Sequence, residues 1–140
     1  MSPKKRMPAD TGFIINVDDD KDTVDLIDRL IRSATGHPTQ TFSDPMAAVD
    51  FCSANSSKIG LITTNGIMPG IDGFKLLDAV DCLLNSSVPA ILISGHWQND
   101  STKIDCFYSL KMKNVRPLRF FGKPFNPSEF IETVKNAILV

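Results

Sequence analysis

Phe13-Ile14-Ile15-Asn16-Val17-Asp18-Asp19-Asp20 decides how this chain folds. Five residues, four of them apolar, are too few for a buried helix. They read as a buried strand that stops where the acids begin. A helix follows, because Val24, Ile27, Leu30 and Ile31 recur at three- and four-residue spacing and Leu26 widens the stripe. Asp20 or Asp22 is placed to cap its start, and Gly36 lies just past its end.

The same alternation then repeats down the chain. Strands are predicted at Thr39 to Phe42, Ile59 to Thr64, Pro89 to Ser94 and Leu118 to Phe121. Helices are predicted from Pro45 through Phe51, after Asp72 with Phe74, Leu76, Leu77, Val80 and Leu84 inward, and over about residues 99–112. That last helix turns Ile104, Phe107, Tyr108 and Leu110 inward. A final helix runs from Pro127 to about Leu139, with Phe130, Ile131, Val134 and Ile138 inward. Near-continuous apolar strands separated by amphipathic helices require an α/β fold, a doubly wound parallel sheet covered on both faces. Residues 1–9 read as a loose basic tail and 10–140 as one domain.

Composition narrows the function classes. Apolar residues make up 42% of the 140, ordinary for a globular domain. The apolar run Pro89-Ala90-Ile91-Leu92-Ile93 ends at Ser94, far short of a membrane span. Lys4, Lys5 and Arg6 have no apolar stretch behind them, so they are not a secretory signal. Cys52, Cys82 and Cys106 are odd in number and lack metal-ligand spacing, which suits half-buried, reduced thiols in a cytoplasmic protein. Residues 1–100 carry 8 basic and 13 acidic side chains, a net −5, and residues 101–140 carry 7 and 3, a net +4. A nucleic-acid surface is not indicated, whereas the acids from Asp18 to Asp28 can focus a cation.

In a doubly wound sheet, ligands bind at the C-terminal ends of the strands. Asp18 and Asp19, Asn65, Ser94 and Lys123 all fall at such ends. The acid pair suits Mg²⁺, which takes one or two carboxylates beside waters and phosphate oxygens, although an acidic helix start would use the same residues. Lys123 brings a compact positive charge and Ser94 a hydroxyl donor. Lys123-Pro124 is a candidate cis peptide. Asn65 offers an oxygen dipole where a full charge is wanted. It cannot form an acyl phosphate, and its oxygen is left as an acceptor for Lys123.

These residues resemble the receiver domain of two-component response regulators from about Phe13 to Val140. The resemblance is carried by Ile14-Ile15-Asn16-Val17-Asp18-Asp19-Asp20, by Met68-Pro69-Gly70-Ile71-Asp72-Gly73, by Ile91-Leu92-Ile93-Ser94-Gly95 and by Lys123-Pro124-Phe125. It implies a flavodoxin-like, CheY-like sheet of five strands in the order 2-1-3-4-5 with five helices. It also implies Mg²⁺ held by Asp19, Asn65 and the Ile67 carbonyl, with Asp18 holding a water. Ser94 and Lys123 become phosphoryl contacts, and Ser94 and Phe120 the switch pair. Partners are a histidine kinase, a phosphotransfer protein or another signalling protein, met through the face of the fourth helix, fifth strand and fifth helix, or a second copy in a homodimer.

The chain departs from the family in two places. Asn65 stands where the family has its acceptor aspartate, so the domain is expected to be a pseudo-receiver with Mg²⁺ binding weak or absent. Phe120 lacks a tyrosine's hydroxyl, which favours a fixed inward rotamer. Asn114-Val115-Arg116-Pro117 also lacks the family's small-residue turn before the fifth strand. An ordinary phosphoacceptor domain with its aspartate replaced at position 65 would have the same sequence. Two other classes compete. Asp20-Lys21-Asp22-Thr23-Val24 has the spacing of the first motif of haloacid-dehalogenase-like phosphatases, but Asp18 and Asp19 intervene and the later acid pair is missing. A binding module that has kept only the fold is the third.

Overall fold

The computed structural model describes residues 12–138, so the predicted tail lies outside the described residues. Strands β1 (Phe13–Val17), β2 (Gln40–Phe42), β3 (Ile59–Asn65), β4 (Val88–Ser94) and β5 (Val115–Gly122) alternate with five helices. These are α1 (Lys21–Thr35), α2 (Pro45–Ala54), α3 (Gly73–Asp81), α4 (Ser101–Tyr108) and α5 (Pro127–Ile138). The strands form one sheet in the order β2-β1-β3-β4-β5, and every pairing is parallel. This is the predicted flavodoxin-like topology.

Strand alternation divides the core in two. Ile14, Leu61, Ile91, Ile93 and Phe121 face α1 and α5, where Ile27, Ile31, Phe130 and Val134 close the layer. Ile15, Val17, Ile62, Ala90 and Leu92 point the other way, toward Ala48, Cys52, Leu76, Leu77, Val80 and Phe107 of α2, α3 and α4. No helix among the described residues is long and apolar enough to cross a membrane.

Local chemistry starts the helices. Asp44 accepts from Met46 N with Pro45 in the first turn, and Asp72 and Asp100 accept from Lys75 N and Lys103 N. Asp20 rather than Asp22 holds the cap position of α1, and its carboxylate accepts from Thr23 Oγ1.

Several expectations need correction. Strand β5 begins at Val115, not Leu118, and so contains Pro117. As the edge strand, β5 tolerates a residue without an N–H, and an extra residue in its pairing with β4 bulges it there. Helix α4 stops at Tyr108, yet Leu110 and Met112 still pack on the core from the loop that follows. Tyr108 and Leu26 are exposed rather than inward. The tyrosine ring lies over the sheet edge, where its hydroxyl accepts the outward N–H of Phe120 at 2.8 Å. The cysteines are not alike, since Cys52 is buried while Cys82 and Cys106 are exposed. Burial pushes the Cys52 thiol up to about 11, which leaves it unreactive.

The start of β5 hangs on one carboxylate. Asp81, at the end of α3, accepts from the backbone N–H groups of Lys113, Asn114 and Val115 at 3.1, 2.6 and 2.7 Å. Burial pushes its pKa up, but these three donors outweigh that and hold it below the ordinary 3.8. Asp81→Ala strands three donors and is expected to cost about 2–3 kcal/mol in urea unfolding at neutral pH. A depressed carboxylate pKa contributes stability that is full above 3.8 and lost as the pH falls through the folded-state value. The gap between wild type and variant therefore narrows in acid. A gap that does not narrow as the pH falls from 3.8 toward acid unfolding would show that Asp81 is not an ionised anchor.

Candidate functional site

The parallel register aligns four strand ends. Val17 pairs with Thr64, Asn65 with Ile93, and Ser94 with Gly122, so the residues that follow converge on one rim. A cleft there is lined by Asp18, Asp19, Asp20, Asn65, Ile67, Met68, Pro69, Gly95, His96 and Lys123. Sequence reading had singled out Asp18, Asp19, Asn65, Ile67 and Lys123, and all five meet in this cleft. His96, which was not among them, also lines it.

Asp18 is buried and fully engaged. Its Oδ2 accepts from Lys123 Nζ at 2.8 Å, and its Oδ1 accepts from Asp20 N at 2.9 Å and Asn65 Nδ2 at 3.4 Å. Burial dominates its titration and holds the pKa above the ordinary value, although the Lys123 bond opposes this. Asp19 is exposed, and its Oδ1 accepts from Asn65 Nδ2 at 3.1 Å.

Asn65 joins the acids to the loop. Its Nδ2 donates to Asp18, to Asp19 and to the Ile67 carbonyl, the last at 2.8 Å, while its Oδ1 accepts from Gly66 N at 2.8 Å. The expected bond from Lys123 to the Asn65 oxygen is therefore not made. The lysine has a full charge to pair with in Asp18, and Gly66 already occupies the oxygen. The Lys123-Pro124 peptide is cis, as predicted.

The loop after β3 is held tightly. Gly70 adopts φ 92°, a left-handed turn conformation that glycine accepts at no steric cost. Gly73 N donates to the Gly66 carbonyl at 2.7 Å, which folds the loop back on itself. A Cβ on Gly66 would stand 2.5 Å from the Trp97 ring. Trp97 is the feature that sequence reading missed. It is buried, stacks on Phe74 with ring centroids 5.1 Å apart, and lies 5.0 Å beneath the Lys103 ammonium. A tryptophan three residues past the end of a buried strand was the available signal.

Ser94 lies beneath the cleft, fully buried, where its hydroxyl accepts from Trp97 N at 3.1 Å. The rim beside it is lined by Gly95 and His96 instead. Phe120 is buried and meets Phe107 edge-on at 6.3 Å. Among the described residues, no group of three or more His, Cys, Asp or Glu side chains is arranged to hold a metal ion.

Lys123 is a quarter exposed and Asp18 hardly at all, so removing the lysine leaves a buried charge without its partner. Lys123→Ala should cost about 1–2 kcal/mol at pH 7, discounted for the solvent that reaches the lysine. The added substitution Asp18→Asn should recover part of that loss. Equal unfolding midpoints for wild type and Lys123→Ala would show that the pair does not stabilise the fold.

The comparisons with known proteins agree with this geometry. Residues 14–135 match the family model described as the response regulator receiver domain. Two-component response regulator ARR12 of Arabidopsis thaliana is 32% identical over 111 residues, 76% of this chain and 18% of that protein. Two-component response regulator ORR22 of Oryza sativa is 29% identical over 76% of this chain and 16% of its own length. The chain thus spans less than a fifth of these relatives. Among solved structures, the receiver domain of the hybrid histidine kinase CckA superposes with a TM-score of 0.68 at 28% identity, covering 91% of this chain and 99% of that one. A receiver domain protein from Clostridium thermocellum gives 0.73 at 19% identity over 91% and 94%, a likeness of fold. With the sheet order, the acid pair and Lys123 all in place, the chain belongs to the response regulator receiver domain family, with asparagine at the position of the family's phosphoacceptor.

Proposed function

We propose that this domain is a pseudo-receiver, which carries a signal by protein contact and does not accept a phosphoryl group. The observation that supports this most directly is Asn65 at the end of β3, its Nδ2 turned toward Asp18 and Asp19. Acyl phosphate formation needs a carboxylate oxygen as nucleophile, and a carboxamide has none to offer. The domain is then no enzyme, and Asp18, Lys123 and Ser94 serve the fold where they stand. Its place of work is the cytoplasm, in keeping with three free thiols.

Treatment with acetyl phosphate should leave the intact mass of the wild type unchanged. Asn65→Asp should acquire one acid-labile phosphoryl group. An acyl phosphate on the wild type would end this reading, and a phosphorylated Asn65→Asp alone would indicate that only the nucleophile has been lost.

The contact face proposed for the partner is that of α4, β5 and α5. Its candidate partners are a histidine kinase, a phosphotransfer protein or a second copy of the chain. Among its cations Lys103, Lys111, Lys113 and Arg119, two are engaged. Lys103 lies over Trp97, and Arg119 pairs with Glu129 at 3.2 Å while covering the Phe121 ring at 4.4 Å. Lys111 and Lys113 are exposed and, among the described residues, in no ion pair. They can steer an acidic partner surface. Reversing both to glutamate should slow association with an immobilised phosphotransfer protein, or abolish a dimer seen in analytical ultracentrifugation, without changing the unfolding midpoint. Association unaffected by the double reversal would place the interface elsewhere.

A further inference from the structure

Three oxygens converge where β1 ends and the β3 loop begins, namely Asp18 Oδ1, Asp19 Oδ1 and the Ile67 carbonyl. Oxygens so grouped are what a hard divalent cation takes as ligands. Here all three accept from one nitrogen, Asn65 Nδ2, at 3.4, 3.1 and 2.8 Å. An amide has two N–H bonds, so three acceptors must share them. The longest contact goes to the oxygen that also accepts from Asp20 N.

The amide is oriented from its far end. Gly66 N–H donates to Oδ1 at 2.8 Å, and a backbone N–H has no other role than donor. Turning the amide over would set its NH₂ against Gly66 N–H, donor facing donor, and aim its oxygen at two carboxylates. A cation at these oxygens would require that turn, or the surrender of all three Nδ2 bonds. The residues present therefore do not fit a bound Mg²⁺ as a third carboxylate would.

We infer that Asn65 is a built-in surrogate for the cation. Its amide nitrogen occupies the ligand oxygens, and the site neither needs nor senses a divalent ion. This deepens the pseudo-receiver reading, on which it rests, by assigning the regulation of the same cleft. It also differs from a simple loss of charge. A missing charge weakens a metal site, whereas a competing donor blocks it.

Removal of the side chain separates the two accounts. Mg²⁺ is titrated into wild type, Asn65→Ala and Asn65→Asp, followed by the fluorescence of Trp97, the one tryptophan of the chain, whose ring lies against Gly66. A plug predicts that Asn65→Ala binds Mg²⁺ about three-fold or more tighter than wild type, because two charge-assisted hydrogen bonds no longer compete. Asn65→Asp should bind more tightly still. Asn65→Ala binding no tighter than wild type would overturn the inference and leave only the missing charge. The wild type alone supplies a second measurement should the variants fail to fold. Its unfolding midpoint should be the same in EDTA and in millimolar MgCl₂, and a midpoint raised by about 2 °C or more would mean that the native site takes the ion. Acyl phosphate on the wild type would remove the underlying reading without changing the order of Mg²⁺ affinities, so the two failures are distinguishable.

Discussion

Two neighbouring carboxylates at the end of β1 need compensation, and the rest of the site is arranged around how they get it. Asp18 is buried, and an isolated buried carboxylate would simply protonate. Lys123, 105 residues away in sequence, supplies the charge, and Asn65, 47 residues away, supplies an N–H. Both contacts exist because β3 and β5 run parallel to β1 and end on the same rim. The ion pair and the Asn65 hydrogen bond together thus link three strands that local sequence could not bring together.

That link also explains how a phosphotransfer layout can outlast its chemistry. Residues to which the family resemblance assigns phosphoryl or metal contacts hold structure here. Lys123 offsets Asp18, Ser94 receives the Trp97 N–H, and the Ile67 carbonyl receives the Asn65 amide. A residue with a structural duty is costly to replace whether or not a reaction remains, because each loss would strand a buried partner.

The sheet beneath is wired by other polar groups in the same way. Asn16, inside β1, donates to the Val24 carbonyl of α1 and accepts from Thr63 Oγ1 of β3, each at 3.0 Å. Among the described residues, every buried side-chain nitrogen and oxygen has a partner. On the opposite side, Trp97 wedges between Gly66 and Phe74 and joins the β4–α4 loop to the β3–α3 loop. Polar satisfaction below and aromatic packing above leave the cleft little freedom to rearrange.

By itself the sequence determined the strand-helix alternation, the two-faced parallel sheet and the convergence of Asp18, Asp19, Asn65 and Lys123; Ile67 came from the family resemblance, and Ser94, expected on the same rim, is buried and does not line the cleft. Apolar periodicity is a local property, and a doubly wound sheet has one functional rim. It also identified Asn65 as a residue without a nucleophilic carboxylate, because that follows from residue chemistry alone. Only the tertiary structure decided which partner each polar atom takes. Lys123 chose Asp18 over the Asn65 oxygen because Gly66, a backbone donor invisible to side-chain reasoning, had already claimed that oxygen. Strand β5 began early because Asp81 of α3 gathers its first N–H groups from more than thirty residues away. Tyr108 turned outward to cap a sheet edge that no helical pattern reveals. Each of these depends on directional bonds between distant segments, and their geometry exists only once the chain has closed on itself.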